Sequence, residues 1–77
     1  IMLQIIEREN HIYKLPDGFD LAKDDDNMYH FTYCLPNDDD GYGIGFRGPF
    51  DTILLAAAES WNSAIEFGLN VNEMRRR

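Results

Sequence analysis

Cys34 is the only cysteine in the chain, so no disulfide can close within it. His11 and His30 are the only histidines, and two imidazoles with one thiol do not make a four-ligand zinc site without carboxylates or a second chain. At 77 residues the sequence is one domain, of a size that buries only about 60% of its unfolded surface. Small domains usually carry a disulfide, a metal or a partner subunit. With the first absent and the second short of ligands, an oligomer or a permanent partner is expected, and no cofactor. No apolar run reaches membrane-spanning length. Residues 1–8 are apolar but too short for a secretory signal, and the lone thiol fits a reducing compartment, so a cytoplasmic location is expected. Ile1 precedes Met2, which leaves Met2 as a possible natural start.

Basic residues are also scarce. Seven lysines and arginines face 14 aspartates and glutamates, a net charge of −7, and three of the seven are the terminal Arg75, Arg76 and Arg77. Residues 1–74 therefore hold 4 basic against 14 acidic side chains, a net of −10. Such a body repels nucleic acid and anionic membranes and draws in basic surfaces. Acidity also keeps small proteins soluble. The arginines at the end repel one another and are expected to form a mobile tail, with contact to a helix end or to phosphate as the alternative.

The pattern along the chain reads as α+β. Leu3 to Arg8 and His11 to Leu15 are expected to pair as a hairpin about Glu9-Asn10, and Pro16-Asp17-Gly18 is a turn. Phe19 and Leu21 are expected to tuck a loop onto the core. Met28 to Leu35 alternates, with Tyr29, Phe31, Tyr33 and Leu35 on one face and Met28, His30, Thr32 and Cys34 on the other. Tyr42 to Arg47 alternates again, and its Tyr42, Ile44 and Phe46 are assigned to the inner, aromatic face. Gly48-Pro49 then ends the strand. Asp51 or Thr52 caps a helix running to about Phe67 and stopped by Gly68, with Leu54, Ala57, Trp61, Ala64 and Ile65 inward. If Asp51 is the cap, Phe50 and Leu55 form a hydrophobic staple. The expected fold is a mostly antiparallel sheet of about four strands covered by one C-terminal helix, a single domain over 1–77 with 69–77 a short extension or tail. Trp61 is expected on Phe31 and Phe46.

Two motifs suggest chemistry on paper. Gly43-Ile44-Gly45-Phe46-Arg47-Gly48 spells the dinucleotide-binding G-x-G-x-x-G, but it lies inside a strand, and too little chain follows for the next strand and its ribose-binding acid. Asn37-Asp38-Asp39-Asp40-Gly41 looks like part of a calcium loop. With Gly41 at the sixth position, however, Pro36 and Arg47 fill two ligand positions. Ser60, Ser63, Cys34 and His30 belong to no catalytic motif. Cys34 is read as a small buried hydrophobe and His30 as a surface histidine.

The binding residues singled out are acidic. Asp24, Asp25 and Asp26 precede the central hairpin, and Asp38, Asp39 and Asp40 lie in its turn, at opposite strand ends about 25 Å apart for an eight-residue strand. Carboxylates over that span can imitate a row of phosphates, and a groove built for nucleic acid could accept them. Gly43 and Gly45 strip side chains from one strand face. They mark either a local bulge or twist, or an interface for a second chain.

The stretch Asp38-Asp39-Asp40-Gly41-Tyr42-Gly43-Ile44-Gly45-Phe46, followed by Phe50-Asp51-Thr52 and an alanine-rich helix, resembles the amino-terminal half of HicB-type antitoxins over residues 28–67. It departs at Arg47-Gly48-Pro49, where that family has Pro-Asp-Leu-Pro-Gly, and at Ile53-Leu54-Leu55, where a Glu-Glu-Ala start is usual. The resemblance implies a β-turn-β-helix shape. In size, acidity and lack of motifs the chain is also similar to small phage-encoded anti-CRISPR and anti-restriction proteins. Three functions therefore stand side by side. One is an inhibitor or regulator of a basic nucleic-acid-handling protein, which includes the antitoxin-like case. The second is an adaptor oligomerising through the Gly43/Gly45 face, and the third an enzyme whose site forms only in an oligomer.

Overall fold

A computed structural model describes residues 2–36 and 41–68, with Tyr42 described by its backbone alone. The order is β1 (Gln4–Ile5), α1 (Glu7–Tyr13), β2 (Phe19–Lys23), β3 (Tyr29–Pro36), β4 (Tyr42–Phe50) and α2 (Ile53–Glu66). The strands form one four-stranded antiparallel sheet in the order β1-β2-β3-β4, and α2 packs across one face. The chain is α+β, as its alternation implies. Residues 69–77, with the arginine tail, lie outside the described residues, and so do Asp38, Asp39 and Asp40.

The expected first hairpin is replaced by a helix. Only Gln4 and Ile5 pair with β2, and Glu7 to Tyr13 coil. Glu7 and Glu9 sit in the first turn, where carboxylates meet the positive end of the helix dipole. Lys14 ends the helix in the left-handed region at φ 49°. Seven residues are too few for an autonomous helix, so α1 depends on its contacts. Those contacts seal an edge of the sheet. Ile6 N–H donates to the Leu21 carbonyl at 3.0 Å, and Leu21 N–H donates to Asn10 Oδ1 at 2.7 Å. Asn10 Nδ2 also donates to Asp20 Oδ1 at 2.9 Å. Where β1 stops, Asn10 takes the place of a further strand residue. Phe19 and Leu21, expected in a loop, are buried residues of β2.

The inner face of β3 is as the alternation implies. Phe31 is fully buried, and Tyr29, Tyr33 and Leu35 pack around the core. Phe31 stacks on Phe50 at 5.9 Å and tilts against Phe19 at 5.8 Å. The helix's fully buried residues are all small, Ala56, Ala57, Ser60, Ser63 and Ala64, and Ile53 at its start packs on the core from the side. Leu54 and Ile65, expected inward, are 66% and 61% exposed. The sheet already fills the interlayer space with rings, so the helix turns its narrow stripe inward and carries Leu54, Leu55 and Ile65 outside. Thr52 is the N-cap, with its side-chain oxygen accepting from Leu55 N–H at 3.1 Å. Phe50 is therefore free of the expected staple and stacks on Phe31 instead. Gly68 takes φ 77° just past the helix, as its stop position requires.

On β4 the faces are the reverse of the expectation. Tyr33 pairs with Gly45 and Leu35 with Gly43, whereas Thr32 pairs with Phe46 and Cys34 with Ile44. Paired residues share a face, so Gly43, Gly45 and Arg47 look toward the helix and Ile44 and Phe46 look away from it. The physical reason is the Tyr33 ring, which lies over Gly45. A Cβ there would collide with the Tyr33 phenol. The glycine is bare because a neighbouring aromatic occupies its space. Trp61 is half-buried, and it cannot sit on Phe46, which is on the opposite face.

Candidate functional site

Three surfaces of the fold are candidates for chemistry or recognition, the first around His30. Expected at the surface, it is 1% exposed. The cause is a bulge in β4. Tyr29 pairs with Phe50 and Phe31 with Arg47, so His30 alone faces both Gly48 and Pro49. The strand does not end at Gly48-Pro49 but passes through a cis peptide bond and continues to Phe50. Gly48, at φ 143°, lets the backbone close over the imidazole, since a Cβ there would stand 2.5 Å from His30 Nδ1. Phe46 meets the ring edge-on at 6.1 Å.

Asp24 completes this cluster. Its Oδ2 lies 2.6 Å from His30 Nε2, and its Oδ1 accepts from Asp26 N–H at 2.8 Å and Met28 N–H at 3.0 Å. The His30 hydrogen bond, helped by the two backbone donors, holds the Asp24 carboxyl below its ordinary 3.8, against the opposing effect of burial. A carboxylate orienting an imidazole is half of an acid-base constellation. The second ring nitrogen, Nδ1, is buried with no hydrogen-bond partner and faces the Gly48 backbone rather than a hydroxyl or thiol. The pair works as a latch that closes the β2–β3 turn onto the sheet.

The latch makes a pH prediction. Asp24 has a folded-state pKa below its unfolded value, so its contribution is complete above about 3.8 and is lost as pH falls through the lower folded value. Urea midpoints measured from about pH 5 to about pH 2 are expected to fall more steeply for the parent than for Asp24→Asn. Parallel curves would mean that the latch contributes nothing.

The second surface is a cleft of about 700 Å³ walled by α1, the α1–β2 turn and Trp61, with Phe19, His11 and Lys14 along it. Asn10 and Asp20 on its wall are bonded to each other, and Asn10 also holds Leu21. These polar groups serve the fold. Among the described residues, no group of three or more His, Cys, Asp or Glu side chains could hold a metal ion.

The third surface is the sheet face turned away from α2. Ile44 is 77% exposed and Phe46 52%, with Ile5 at the far edge. Cys34, expected to be buried, is exposed beside Ile44, because its pairing puts it on the face turned away from the helix. On the helix side of β4, Arg47 bridges to α2. Its Nη1 donates to Ser63 Oγ at 2.9 Å and to Glu66 Oε2 at 3.1 Å, and its guanidinium lies 5.0 Å over the Phe67 ring. Glu66 raises the Arg47 pKa, chiefly through this hydrogen bond, with Glu59 adding to the field. Arg47 in turn holds Glu66 below the usual carboxylate range.

The acidic residues are not equivalent. Asp24 is committed internally, and Asp25 and Asp26 are exposed beside it. Gly43 and Gly45 do not form a bare outer face. Sequence reasoning missed His30, Arg47 and Asn10. Only the bulge, the register and the helix place them, and no motif marks any of the three. Comparison with known proteins finds no matching family model, no matching curated protein and no matching solved structure. No helix among the described residues is long and apolar enough to cross a membrane.

Proposed function

We propose that this chain is a binding protein that docks on a basic, nucleic-acid-handling protein and inhibits or regulates it, performing no chemistry of its own. The observation that carries this reading is the apolar surface that β4 exposes, among the described residues, on the sheet face turned away from α2. Helix α2 covers one side, and Ile44 and Phe46 stand 77% and 52% exposed on the other. Exposed apolar residues of this size within a charged surface mark interaction sites. The net charge of −7 selects the partner, since it speeds encounter with a basic surface and disfavours acidic ones. Phosphate mimicry rests on Asp25 and Asp26 with Asp38, Asp39 and Asp40, because Asp24 is spent on His30. An antitoxin-like role is one form of the same reading.

The test is the affinity for the captured partner as a function of salt. The Kd is expected to rise about tenfold or more between about 50 and about 200 mM salt, as for interfaces held by charge. Replacing the five aspartates 25, 26, 38, 39 and 40 by asparagine is expected to flatten that slope and slow association while leaving the fold intact. Affinity indifferent to both changes would remove the basic partner and favour an adaptor held by apolar packing.

A further inference from the structure

The two edges of the sheet differ. The β2 edge, where β1 runs out, is sealed by Ile6 and Asn10 against Leu21. The other edge is β4, whose only strand neighbour among the described residues is β3. The side from which its main chain bonds follows from alternation. Cys34 N–H donates to the Gly18 carbonyl on the β2 side at 2.9 Å, so the even residues of β3 bond toward β2 and the odd ones toward β4. Gly43, Gly45 and Arg47, which pair with odd residues, therefore bond toward β3. Ile44 and Phe46 point their N–H and C=O groups outward, and those groups have no partner among the described residues.

Natural proteins blunt such edges with charge, proline or a covering segment. Pro49 does this only at the far end of the strand, and the Gly43–Arg47 stretch has glycines and exposed apolar side chains instead. We propose that this edge takes up an extended segment of the partner as a fifth, antiparallel strand, and that the segment alternates apolar and basic residues. In such a strand alternate side chains fall on opposite faces. The apolar set lies beside Ile44 and Phe46 on the outer face. The basic set lies on the helix side, where Glu66 already balances Arg47, and Glu59 nearby and Asp51, exposed at the strand end, leave that side net negative. A second copy of this chain is the wrong occupant by charge, since two copies bring together −14, twice −7. The inference rests on the binding reading above and names the surface and the segment that reading leaves open.

Fluorescence anisotropy with a labelled eight-residue peptide of alternating valine and lysine tests it. Binding is expected to the parent. An alternating valine–glutamate peptide, and a valine–lysine peptide N-methylated at every residue, are expected to bind at least about tenfold more weakly, the scale of one or more lost hydrogen bonds. Ile44→Pro removes an outward N–H and leaves the β3 ladder untouched, and it is expected to cause a comparable loss. The N-methylated peptide gives the same information should that variant not fold. Equal binding of the N-methylated and plain peptides would overturn strand addition. Equal binding of the lysine and glutamate peptides would overturn the basic segment, and a salt-resistant dimer in sedimentation would make a second copy the occupant. If Ile44→Pro still captures the basic partner with unchanged salt dependence, the edge is not the site and the binding reading stands.

Discussion

Phe31→Ala is expected to unfold the protein or bring it close to unfolding. Phe31 is fully buried, stacks on Phe50 and touches Phe19, and among the described residues it is the largest fully buried side chain, at the centre of a cluster with Phe19, Leu21 and the helix alanines. Removing a buried phenylalanine costs about 3–5 kcal/mol through lost transfer energy and the cavity left behind. The small helix stripe cannot collapse into that cavity, because Ala56, Ala57 and Ala64 have no side chain to extend. Small domains have total stabilities of about 5 kcal/mol or a little more, so the loss takes most of what there is. Thermal or urea unfolding measures it. Trp61→Ala is expected to cost less, because Trp61 is only half-buried at the cleft. A Trp61 variant less stable than the Phe31 variant would mean that the core is centred elsewhere.

Gly48→Val is the second large effect. At φ 143° the backbone of Gly48 is in a region open essentially to glycine alone, and a side chain there costs about 1–3 kcal/mol from conformation. The added Cβ also meets His30 Nδ1 at 2.5 Å and the Tyr29 carbonyl oxygen at 3.0 Å. The carbonyl belongs to the sheet and cannot swing aside, so the imidazole must leave its pocket. The variant is therefore expected to lose both stability and the Asp24–His30 latch, and its acid unfolding is expected to resemble that of Asp24→Asn. A Gly48 variant that keeps the parent's acid profile would show that His30 is not held by this bulge.

The inner face of β3 was legible because alternation is a local signal. Tyr29, Phe31, Tyr33 and Leu35 occur every second residue, and each one packs on the core. The α2 cap and stop were legible for the same reason, Thr52 and Gly68 being local devices. The face of β4 was not. Its alternation was read correctly but turned the wrong way, because Gly43 and Gly45 look empty until the Tyr33 ring is placed over them. His30 was hidden by the same strand, since the glycine and proline that signal a strand end also build a bulge. Asn10 was hidden because capping a strand edge depends on where β1 stops, and hydrophobic pattern carries no information about that. The helix rotation followed from ring volume on the sheet, a tertiary effect absent from the helix's own periodicity.

Among the described residues the sheet has one sealed edge and one open edge, and binding is assigned to the open one. Amide hydrogen exchange, read residue by residue with and without the captured partner, tests that assignment most directly. In the free chain Leu21, Gly45 and Arg47 are expected to exchange slowly and Ile44 and Phe46 fast, an alternation along β4 that only an open edge produces. On partner binding, Ile44 and Phe46 are expected to become as slow as their neighbours. Slow exchange at Ile44 and Phe46 in the free chain, or rates there unchanged by the partner, would contradict it.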